Sequence, residues 1–369
     1  MYIHQIPEWP RFEWRQERLA QPLAGVRYRQ GRMIGHMEAL GFELRQEAVL
    51  HTLSEDVLKS TEIEGEKLDA AQVRSSIARR LGIDIGALKP ADRAVEGVVE
   101  MMLDATGNYD EPLTAERLFG WHASLFPTGR SGLIRITAGA WRNDGTGPMQ
   151  VVSGPIGREH VHFKAPPAAR LRREMRMFLD WFNKTATVDP VLKAAQAHLW
   201  FVTIHPFDDG NGRMARAIAD MSLARSENSP QRFYSMSAQI QQERAAYYNA
   251  LERTQKGTLD ITPWMEWFLG CLGRAIDGAQ TTLAAILAKA RFWDAIAGVA
   301  INERQRLVLN RLLDGFEGKL TTSKYAKLAK CSQDTALRDI LALAEHGILI
   351  RGTERGRSTS YALADVSAA

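Results

Sequence analysis

Residues 205–216 read His205-Pro206-Phe207-Asp208-Asp209-Gly210-Asn211-Gly212-Arg213-Met214-Ala215-Arg216. A titratable ring, carboxylates, two glycines and two arginines thus lie within twelve residues, and phosphate chemistry uses this combination of groups. On the N-terminal side of this motif, Asp189 and Pro190 can cap and begin a helix, and the apolar run that follows predicts a buried helix up to Ile204. A second helix is predicted to begin at the glycines and to continue to Arg225. The motif is therefore predicted to be a loop between two helices.

The start of the second helix is predicted to bind an anion. The first N–H groups of a helix have no partners within the helix and lie at the positive end of its dipole. Gly210, Asn211 and Gly212 can therefore form a cradle in which a phosphate group approaches the backbone closely. Arg213 and Arg216 are three residues apart and share a helix face, where their guanidinium groups can hold neighbouring phosphate oxygens.

Two other motif residues supply the remaining groups for phosphoryl transfer. Asp209 can hold a hard cation such as Mg²⁺, which takes one or two carboxylates together with substrate phosphates and water. His205 titrates close to neutral pH and can accept the proton of an attacking hydroxyl group. The residues taken alone also allow a plainer interpretation, a turn into a helix with solvated charges and a hydrogen-bonded histidine.

The complete pattern resembles the His-x-Phe-x-Asp/Glu-Gly-Asn-Gly-Arg-x-x-Arg signature of the Fic family, which it matches at every position. Fic proteins usually transfer AMP from ATP to a hydroxyl group of a target protein. The resemblance implies a mainly α fold with a Fic-type helical core and a β-hairpin flap. It also implies that His205 is the general base, Asp209 the Mg²⁺ ligand, Gly210 to Gly212 the phosphate cradle, and Arg213 and Arg216 the clamps of the triphosphate. The expected reaction is adenylylation of a Ser, Thr or Tyr hydroxyl, with ATP as co-substrate and Mg²⁺ as cofactor.

Composition bounds the class of protein. The chain has 369 residues, 45% of them hydrophobic and 24% charged, which indicates a globular protein of two or three domains. A net charge of +4 is too small to predict nucleic-acid binding over the whole surface. Two distant cysteines indicate neither disulfides nor a thiolate zinc site. Because no leader or membrane-length apolar run is evident, we predict a cytoplasmic protein that is not embedded in a membrane.

A second short motif lies at residues 54–65. Ser54 is predicted to cap a compact helix that Gly65 ends, and Ser60 and Glu64 are four residues apart on one face of it. Residues 60–65 resemble the Ser/Thr-x-x-x-Glu-Gly/Asn inhibitory motif of Fic proteins. The resemblance implies that Glu64 reaches Arg216 and holds the activity down, whereas the residues alone also allow an ordinary surface helix.

Between residues 139 and 167 the sequence becomes rich in glycine and β-branched residues, which predicts a hairpin. By resemblance this hairpin is the flap, in which Val151, Val152 and Ser153 align the target backbone by strand addition. His160 and His162 share one strand face and could together bind a metal, but the sequence offers no clear third ligand.

Other segments carry single predictions. Trp9, Phe12 and Trp14 predict an N-terminal arm that aromatic side chains anchor to the helical body. His122 is predicted to be a packed core histidine. Tyr248 resembles the tyrosine that lies near the nucleotide base in Fic proteins, and the family often has Asn where this chain has Gln255.

The C-terminal part, residues 302–369, is predicted to form three short helices and a hairpin, which resembles a winged helix. The recognition helix would be residues 332–345, and Arg351, Arg355 and Arg357 lie in the wing. Winged helices also bind proteins, so DNA and protein partners both remain open.

Four segments are thus predicted: a helical N-terminal extension (1–53), a Fic domain (54–275) that includes the inhibitory helix (54–65), a connecting helix (276–301) and a winged helix (302–369). Two alternatives to adenylylation remain, namely a de-AMPylating enzyme and a nucleotide-sensing regulator that binds DNA. The sequence does not identify the target protein, and self-modification and a homodimer also stay open.

Overall fold

The computed structural model of the protein describes residues 1–86, 88–145, 147–155, 158, 160–184, 188–313, 316, 318–352 and 359–364. The chain divides into two compact units, Met1–Ala279 and Gln280–Ala369. Helices dominate both units and the strands are short, so the predicted mainly α class is confirmed.

The first unit contains most of the helices. They are α1 (Gln16–Glu38), α2 (Phe42–Ile63), α3 (Ala70–Leu81), α4 (Arg93–Gly107), α5 (Ala115–Leu125), α6 (Leu171–Asn183), α7 (Pro190–Ile204), α8 (Asn211–Glu227), α9 (Met236–Gln242), α10 (Arg244–Gln255) and α11 (Thr262–Ala295), the last of which continues into the second unit. The strands are β1 (Arg130–Ser131), β2 (Ile134–Arg135), β3 (Gln150–Ser153) and β4 (His160–Lys164). β1 pairs with β2 and β3 with β4, both antiparallel, so the predicted flap hairpin is present.

Helices α7 and α8 pack against each other at the centre of the first unit. Every α7 residue from Val191 to Ile204 is buried. Asp189 accepts a hydrogen bond from the N–H of Val191 (2.8 Å) and Pro190 lies in the first turn, as predicted. A helix without a polar face is stable only when other elements cover it on all sides. The loop between α7 and α8 is therefore anchored at both ends in the core.

Trp9 and Phe12 anchor the N-terminal arm, as predicted, whereas Trp14 donates to Gln16 (3.2 Å) in an exposed hydrogen bond. Trp9 Nε1 donates to Oε2 of the buried Glu174 (2.8 Å), and the Trp9 ring meets Phe12 and Trp200 edge to face. The backbone N–H of Glu13 also donates to the carbonyl of Leu259 (2.8 Å).

The predicted short helix at residues 54–65 is wrong at its N-terminus. Ser54 lies in the middle of the 22-residue helix α2, where its hydroxyl donates to the carbonyl of Leu50 (2.7 Å) instead of capping a new helix. The helix continues because Leu50, Leu53 and Val57 form one buried stripe across the expected break. The boundary drawn at 53/54 consequently falls inside α2. Its C-terminus is as predicted, since Gly65 adopts a positive φ (88°).

The second difference concerns α11, one helix of 34 residues that crosses the boundary predicted at 275/276. The connecting helix expected at 276–301 therefore begins within α11, and α11 ends at Ala295. Phe268, Leu272 and Ile276 are buried at intervals of four residues across the expected join, so one packed helix face continues through it.

The second unit contains α12 (Glu303–Leu313), α13 (Thr322–Leu328), α14 (Gln333–Glu345) and the antiparallel strands β5 (Leu349–Arg351) and β6 (Tyr361–Leu363). Its core joins Val308, Tyr325 and Ile340 to Phe292 of α11 and to Ile296, which follows that helix. The compact unit thus starts before the predicted boundary at 302. Three helices followed by a hairpin occur in the predicted order, and the winged-helix assignment stays a prediction. Arg355 and Arg357 lie outside the described residues.

Within the described residues, no helix combines the length and the apolar character that crossing a membrane requires.

Candidate active site

The ring of His205 lies at the end of α7. The residue ends the helix in the left-handed conformation (φ 52°), which is uncommon for a residue other than glycine. Its Nδ1 lies 3.1 Å from the carbonyl oxygen of Val202, and because a carbonyl only accepts, Nδ1 carries the hydrogen and Nε2 keeps a lone pair. Burial lowers the pKa of His205 to about 4, and the contact with Val202 partly opposes this shift. His205 is therefore neutral at physiological pH, with Nε2 able to accept a proton.

Three side chains fix the loop that follows His205. Arg142 donates from Nε to the carbonyl of His205 (2.7 Å), and its backbone N–H donates to Pro206 (2.9 Å). Asn211 holds both the N–H and the carbonyl of Phe207 (3.0 and 2.8 Å), so a phosphate could meet only the backbone of Asn211 and not its amide side chain. The protein's own hydrogen bonds therefore hold this loop in place.

His122 is the third of these side chains and is a packed core histidine, as predicted. Its Nδ1 accepts from the N–H of Gly139 (3.0 Å), so Nε2 carries the hydrogen and donates to the carbonyl of Asp209 (3.2 Å). The ring stacks on Phe207 and burial lowers its pKa to about 4. A neutral imidazole thus supports the backbone of the predicted metal ligand.

The carboxylate of Asp209 belongs to the loop between α7 and α8. It accepts hydrogen bonds from the hydroxyl of Ser131 and from the N–H of Gly210 (2.6 Å). Mg²⁺ binds hard oxygen ligands and often takes a single carboxylate, while phosphates and water complete its coordination. The carboxylate of Asp209 therefore fits this cation.

The glycines of the predicted cradle lie where the loop enters α8. Gly210 has φ 77° and lies so close to Phe126 that a Cβ there would be 2.9 Å from the ring. Helix α8 then begins at Asn211, and a Cβ on Gly212 would lie 2.1 Å from Oε1 of Glu64. The space above Gly212, which a phosphate oxygen would need, is thus filled by the carboxylate of Glu64.

Both arginines of the motif are buried beside this cradle. Arg216 donates from Nε to the hydroxyl of Ser60 (2.9 Å) and from Nη2 to Ser60 O and Glu64 Oε1 (2.7 Å each). Arg213 donates from Nη1 to Oε2 of Glu66 (3.0 Å). Within the described part of the chain, Nη1 of Arg216 and Nε of Arg213 are buried without a hydrogen-bond partner. Unpaired buried donors are costly, and an anion in the cradle would satisfy them.

The motif lies inside residues 112–223, which match the family model of the Fic/DOC family. This chain carries a Fic domain. Residues 2–83 match a second family model, described as a domain of unknown function (DUF4172). Glu64 and Ser60 therefore belong to the N-terminal module, whereas Arg216, which donates to both, belongs to the Fic domain.

Curated relatives carry the same domain. The protein adenylyltransferase Fic of Nematostella vectensis is 36% identical over 125 residues, which are 32% of this chain and 27% of the relative. The protein of the same name from Drosophila willistoni is 27% identical over 224 residues, 60% of this chain and 40% of the relative. The chain thus spans less than half the length of these relatives.

Solved structures share the fold. A Fic family protein from Desulfovibrio desulfuricans G20 superposes with a TM-score of 0.52 at 21% identity and covers 94% of this chain and 96% of its own. A Fic domain containing signaling protein from Bacteroides thetaiotaomicron gives a TM-score of 0.51 at 20% identity, covering 72% and 97%. The predicted Fic-type helical core is therefore confirmed.

Helix α2 brings Glu64 to the Fic domain through several anchors. Asp56, one turn before Ser60, is buried and accepts from the hydroxyl of Ser235 (2.5 Å). At the end of the helix, the carbonyl of Ile63 accepts from Nε of Arg244 (2.8 Å). Hydrogen bonds along α2, together with the pair to Arg216, thus set the position of Glu64 over Gly212.

The predicted base-side residues of the Fic domain lie on α10. The hydroxyl of Tyr248 lies 3.4 Å from the carbonyl of Ile63, and the residue is half-buried. Tyr247 is instead buried, with its hydroxyl 2.9 Å from Nε2 of His198. Gln255 is also buried and bonds to Thr203 (3.2 Å), so its side chain faces the core. Of these three residues, Tyr248 remains the one open to a nucleotide.

Sequence reasoning missed three residues that the structure brings to the site: Arg142, Ser131 and Glu66. Glu66 directly follows residues 60–65, and no helical spacing marks it, because α2 ends at Ile63. Arg142 lies in the glycine-rich segment 139–167, and no spacing along the chain marks it. Its role depends on the contact between that segment and residues 205–206, which are distant in sequence.

Proposed function

We propose that this protein transfers AMP from ATP to a Ser, Thr or Tyr hydroxyl of a target protein, and that Glu64 holds this activity down. One observation carries the proposal: a neutral His205 stands beside a helix N-terminus whose glycine cradle is covered by a carboxylate paired with a motif arginine. The Fic domain match and the names of the curated relatives support the same reaction.

The proposed mechanism uses the residues in the order in which the loop presents them. The triphosphate lies on Gly210 to Gly212, and the proton of the target hydroxyl moves to Nε2 of His205. The hydroxyl oxygen then attacks the α-phosphorus, and the bond to the bridging oxygen of pyrophosphate breaks in line. Arg213 and Arg216 take up the charge of the leaving pyrophosphate. Asp209 would hold Mg²⁺, which neutralises phosphate charge when bound.

The test uses one purified protein and two labels. Label at the α-phosphorus should become covalently attached to protein, whereas label at the γ-phosphorus should not, because pyrophosphate leaves. Incubation of the Glu64→Gly variant with a cell lysate, followed by mass spectrometry of labelled bands, would identify the target and would show any self-modification. Attachment of γ-label would contradict AMP transfer.

Asp209→Ala is expected to lower the affinity for ATP in the presence of Mg²⁺ by at least about tenfold, by analogy with the loss of a metal-positioning group. Affinity in EDTA should change much less, because the cradle and the arginines remain. Calorimetric titration of the variant in the Glu64→Gly background measures both affinities. Ser131→Ala is the matched control, since it removes a hydrogen bond to Asp209 and keeps the carboxylate. Equal losses with and without Mg²⁺ would contradict the metal role of Asp209.

The pH dependence of kcat/KM should reflect the lowered pKa of His205. Burial favours the neutral ring, so His205 stays unprotonated as the pH falls from 7.5 to 5.5. The acid limb of the pH profile of kcat/KM should therefore lie near pH 4 instead of near 6.5, the ordinary pKa of histidine. The Glu64→Gly variant should keep more than about half of its kcat/KM at pH 5.5. Nucleotide affinity, measured at each pH, separates changes in binding from changes in catalysis. An acid limb near 6.5 with constant affinity would contradict the assignment.

For the second unit, we propose that α14 binds protein and not DNA. Its exposed residues include Leu337 (40% exposed) and Leu341 (53%) beside Asp334 and a single arginine, Arg338. This face offers apolar contact area and almost no positive charge for phosphates.

Mobility shifts with genomic DNA fragments test this choice of partner. Proteins that make 6–10 phosphate contacts lose about 10³–10⁵ in affinity between 50 and 200 mM salt. We expect weak retardation with less than about a tenfold change over the same range, since few phosphates would be neutralised. Tight binding of DNA with a steep salt dependence would contradict this proposal and would favour a regulator that binds DNA through a winged helix.

A further inference from the structure

A second cluster of ligand-type side chains lies on the flap hairpin, outside the loop that carries His205. His160 and His162 project from the same face of β4, with ring centroids 4.5 Å apart. Glu252 of α10 lies against them, and one ligand atom from each of the three residues lies within 4.8 Å of the other two. Glu252 is the third ligand that could not be identified from the sequence, and it lies 90 residues after His162 in the chain.

The chemistry of these three side chains selects a class of ion. Two imidazoles and one carboxylate are a frequent protein set for Zn²⁺ and similar divalent transition metals, with a fourth position left for water or another ligand. Mg²⁺ prefers oxygen ligands and keeps its water. In a tetrahedral Zn²⁺ site with bonds of about 2.0–2.1 Å, the ligand atoms lie roughly 3.3 Å from one another. The ligand atoms here lie within 4.8 Å of one another, so side-chain rotations that shorten these distances by roughly 1.5 Å would complete the site.

Neighbouring groups already orient the ligands. His162 is held at both nitrogens, by the hydroxyl of Ser153 at Nε2 (2.6 Å) and by Oε2 of Glu252 at Nδ1 (2.7 Å). A metal that takes one nitrogen leaves the other bonded to its partner, which is how metal-binding histidines are usually fixed. Lys256 and then His162 lower the pKa of Glu252, so its carboxylate is charged, as a ligand must be. His160 is exposed, and a metal ion can reach the cluster from solvent.

We infer that His160, His162 and Glu252 form a binding site for Zn²⁺ or a comparable divalent transition metal, which joins the flap hairpin to α10. The bound ion would fix β4, and through its pairing β3, to the helix that carries Tyr248. This consequence rests on the proposed function, in which the flap aligns the target: a fixed flap would hold one register for the target backbone. The existence of the metal site does not rest on it.

The experiment titrates the metal-free full chain with Zn²⁺ in competition with a chromophoric chelator, without nucleotide. We expect one Zn²⁺ equivalent that His160→Ala and Glu252→Gln each weaken by at least about tenfold, because even groups that only orient metal ligands commonly contribute that much. His346→Ala, which removes an exposed histidine of the second unit, is the matched control and should leave binding unchanged.

Two further measurements separate ligation from structural damage. Lys256→Ala removes the ion pair with Glu252 and keeps the carboxylate, so Zn²⁺ should bind at least as tightly as in the wild type. Co²⁺ should give the visible absorption of a site with nitrogen ligands in the wild type and lose it in His160→Ala, while far-ultraviolet circular dichroism of both stays the same. Identical Zn²⁺ affinities in wild type, His160→Ala and Glu252→Gln would overturn the inference.

Metal binding and AMP transfer can fail independently, because the titration contains no ATP. Hydrogen exchange at the amides of Val151 and Val161 in the flap should slow when Zn²⁺ is added to the wild type, and should not slow in His160→Ala. Zn²⁺ binding without label transfer would retain the metal site and refute the enzymatic proposal. Label transfer without Zn²⁺ binding would retain the enzymatic proposal and refute the metal site.

Discussion

Glu64→Gly is expected to raise the rate of AMP transfer by at least about tenfold, equivalent to about 1.4 kcal/mol of barrier. The carboxylate of Glu64 occupies the space above Gly212 and binds Nη2 of Arg216 at 2.7 Å. Arg216 is 1% exposed, and a buried arginine without its partner carries a penalty of several kcal/mol. Removing the carboxylate therefore opens the cradle and leaves a guanidinium group that favours phosphate strongly.

A set of variants separates this mechanism from a general loosening of the site. Arg216→Ala added to Glu64→Gly should remove most of the gain, because the clamp of the triphosphate is then missing. Glu66→Gln is the matched control: its carboxylate also binds a motif arginine, but it is 50% exposed and does not lie over Gly212. We expect a much smaller increase for Glu66→Gln than for Glu64→Gly. Transfer of α-label under saturating ATP measures all four rates.

Equal rates for the wild type and Glu64→Gly would contradict the inhibitory role. If removal of AMP from a modified protein were lost in the same variant, Glu64 would instead orient the attacking water of a de-AMPylating enzyme.

His205→Ala is expected to lower the transfer rate by at least about a hundredfold, the lower end of what general-base catalysis usually contributes. Affinity for ATP with Mg²⁺ should stay within about threefold of the parent, because the base acts on the target hydroxyl and the cradle lies on Gly210 to Gly212. Single-turnover transfer of α-label and calorimetric titration, both in the Glu64→Gly background, supply the two quantities. A variant that kept more than about a hundredth of the parent rate would end the general-base assignment.

The parts of the fold that follow from local chemistry could be predicted from the sequence. Asp189 before Pro190 specifies the start of α7, and Gly65 specifies the end of α2, because caps and glycines act within one turn. The start of α8 at the motif glycines could be predicted for the same reason, and the anion cradle proposed there follows from the helix N-terminus.

What could not be predicted depends on distant contacts. Ser54 resembles an N-cap in the sequence, but the buried stripe through Leu50 and Leu53 shows that the helix begins before it. Glu252 becomes a candidate ligand only when α10 lies against β4, and Arg142 becomes a support of the site only when its segment contacts the carbonyl of His205. No spacing along the chain encodes such pairings, because tertiary packing alone creates them.

The continuity of α2 has a mechanical consequence. At 1.5 Å per residue, its 22 residues span about 33 Å, and Glu64 directly follows the last turn. A rigid rod of this kind transmits a shift or tilt applied near Phe42 to the carboxylate above Gly212, whereas a short separate helix would absorb it. A displacement of only an ångström or two at Glu64 would break its contact with Arg216. In the proposed function, an event at the Phe42 end of α2 that touches neither ATP nor the target could therefore release the inhibition by Glu64.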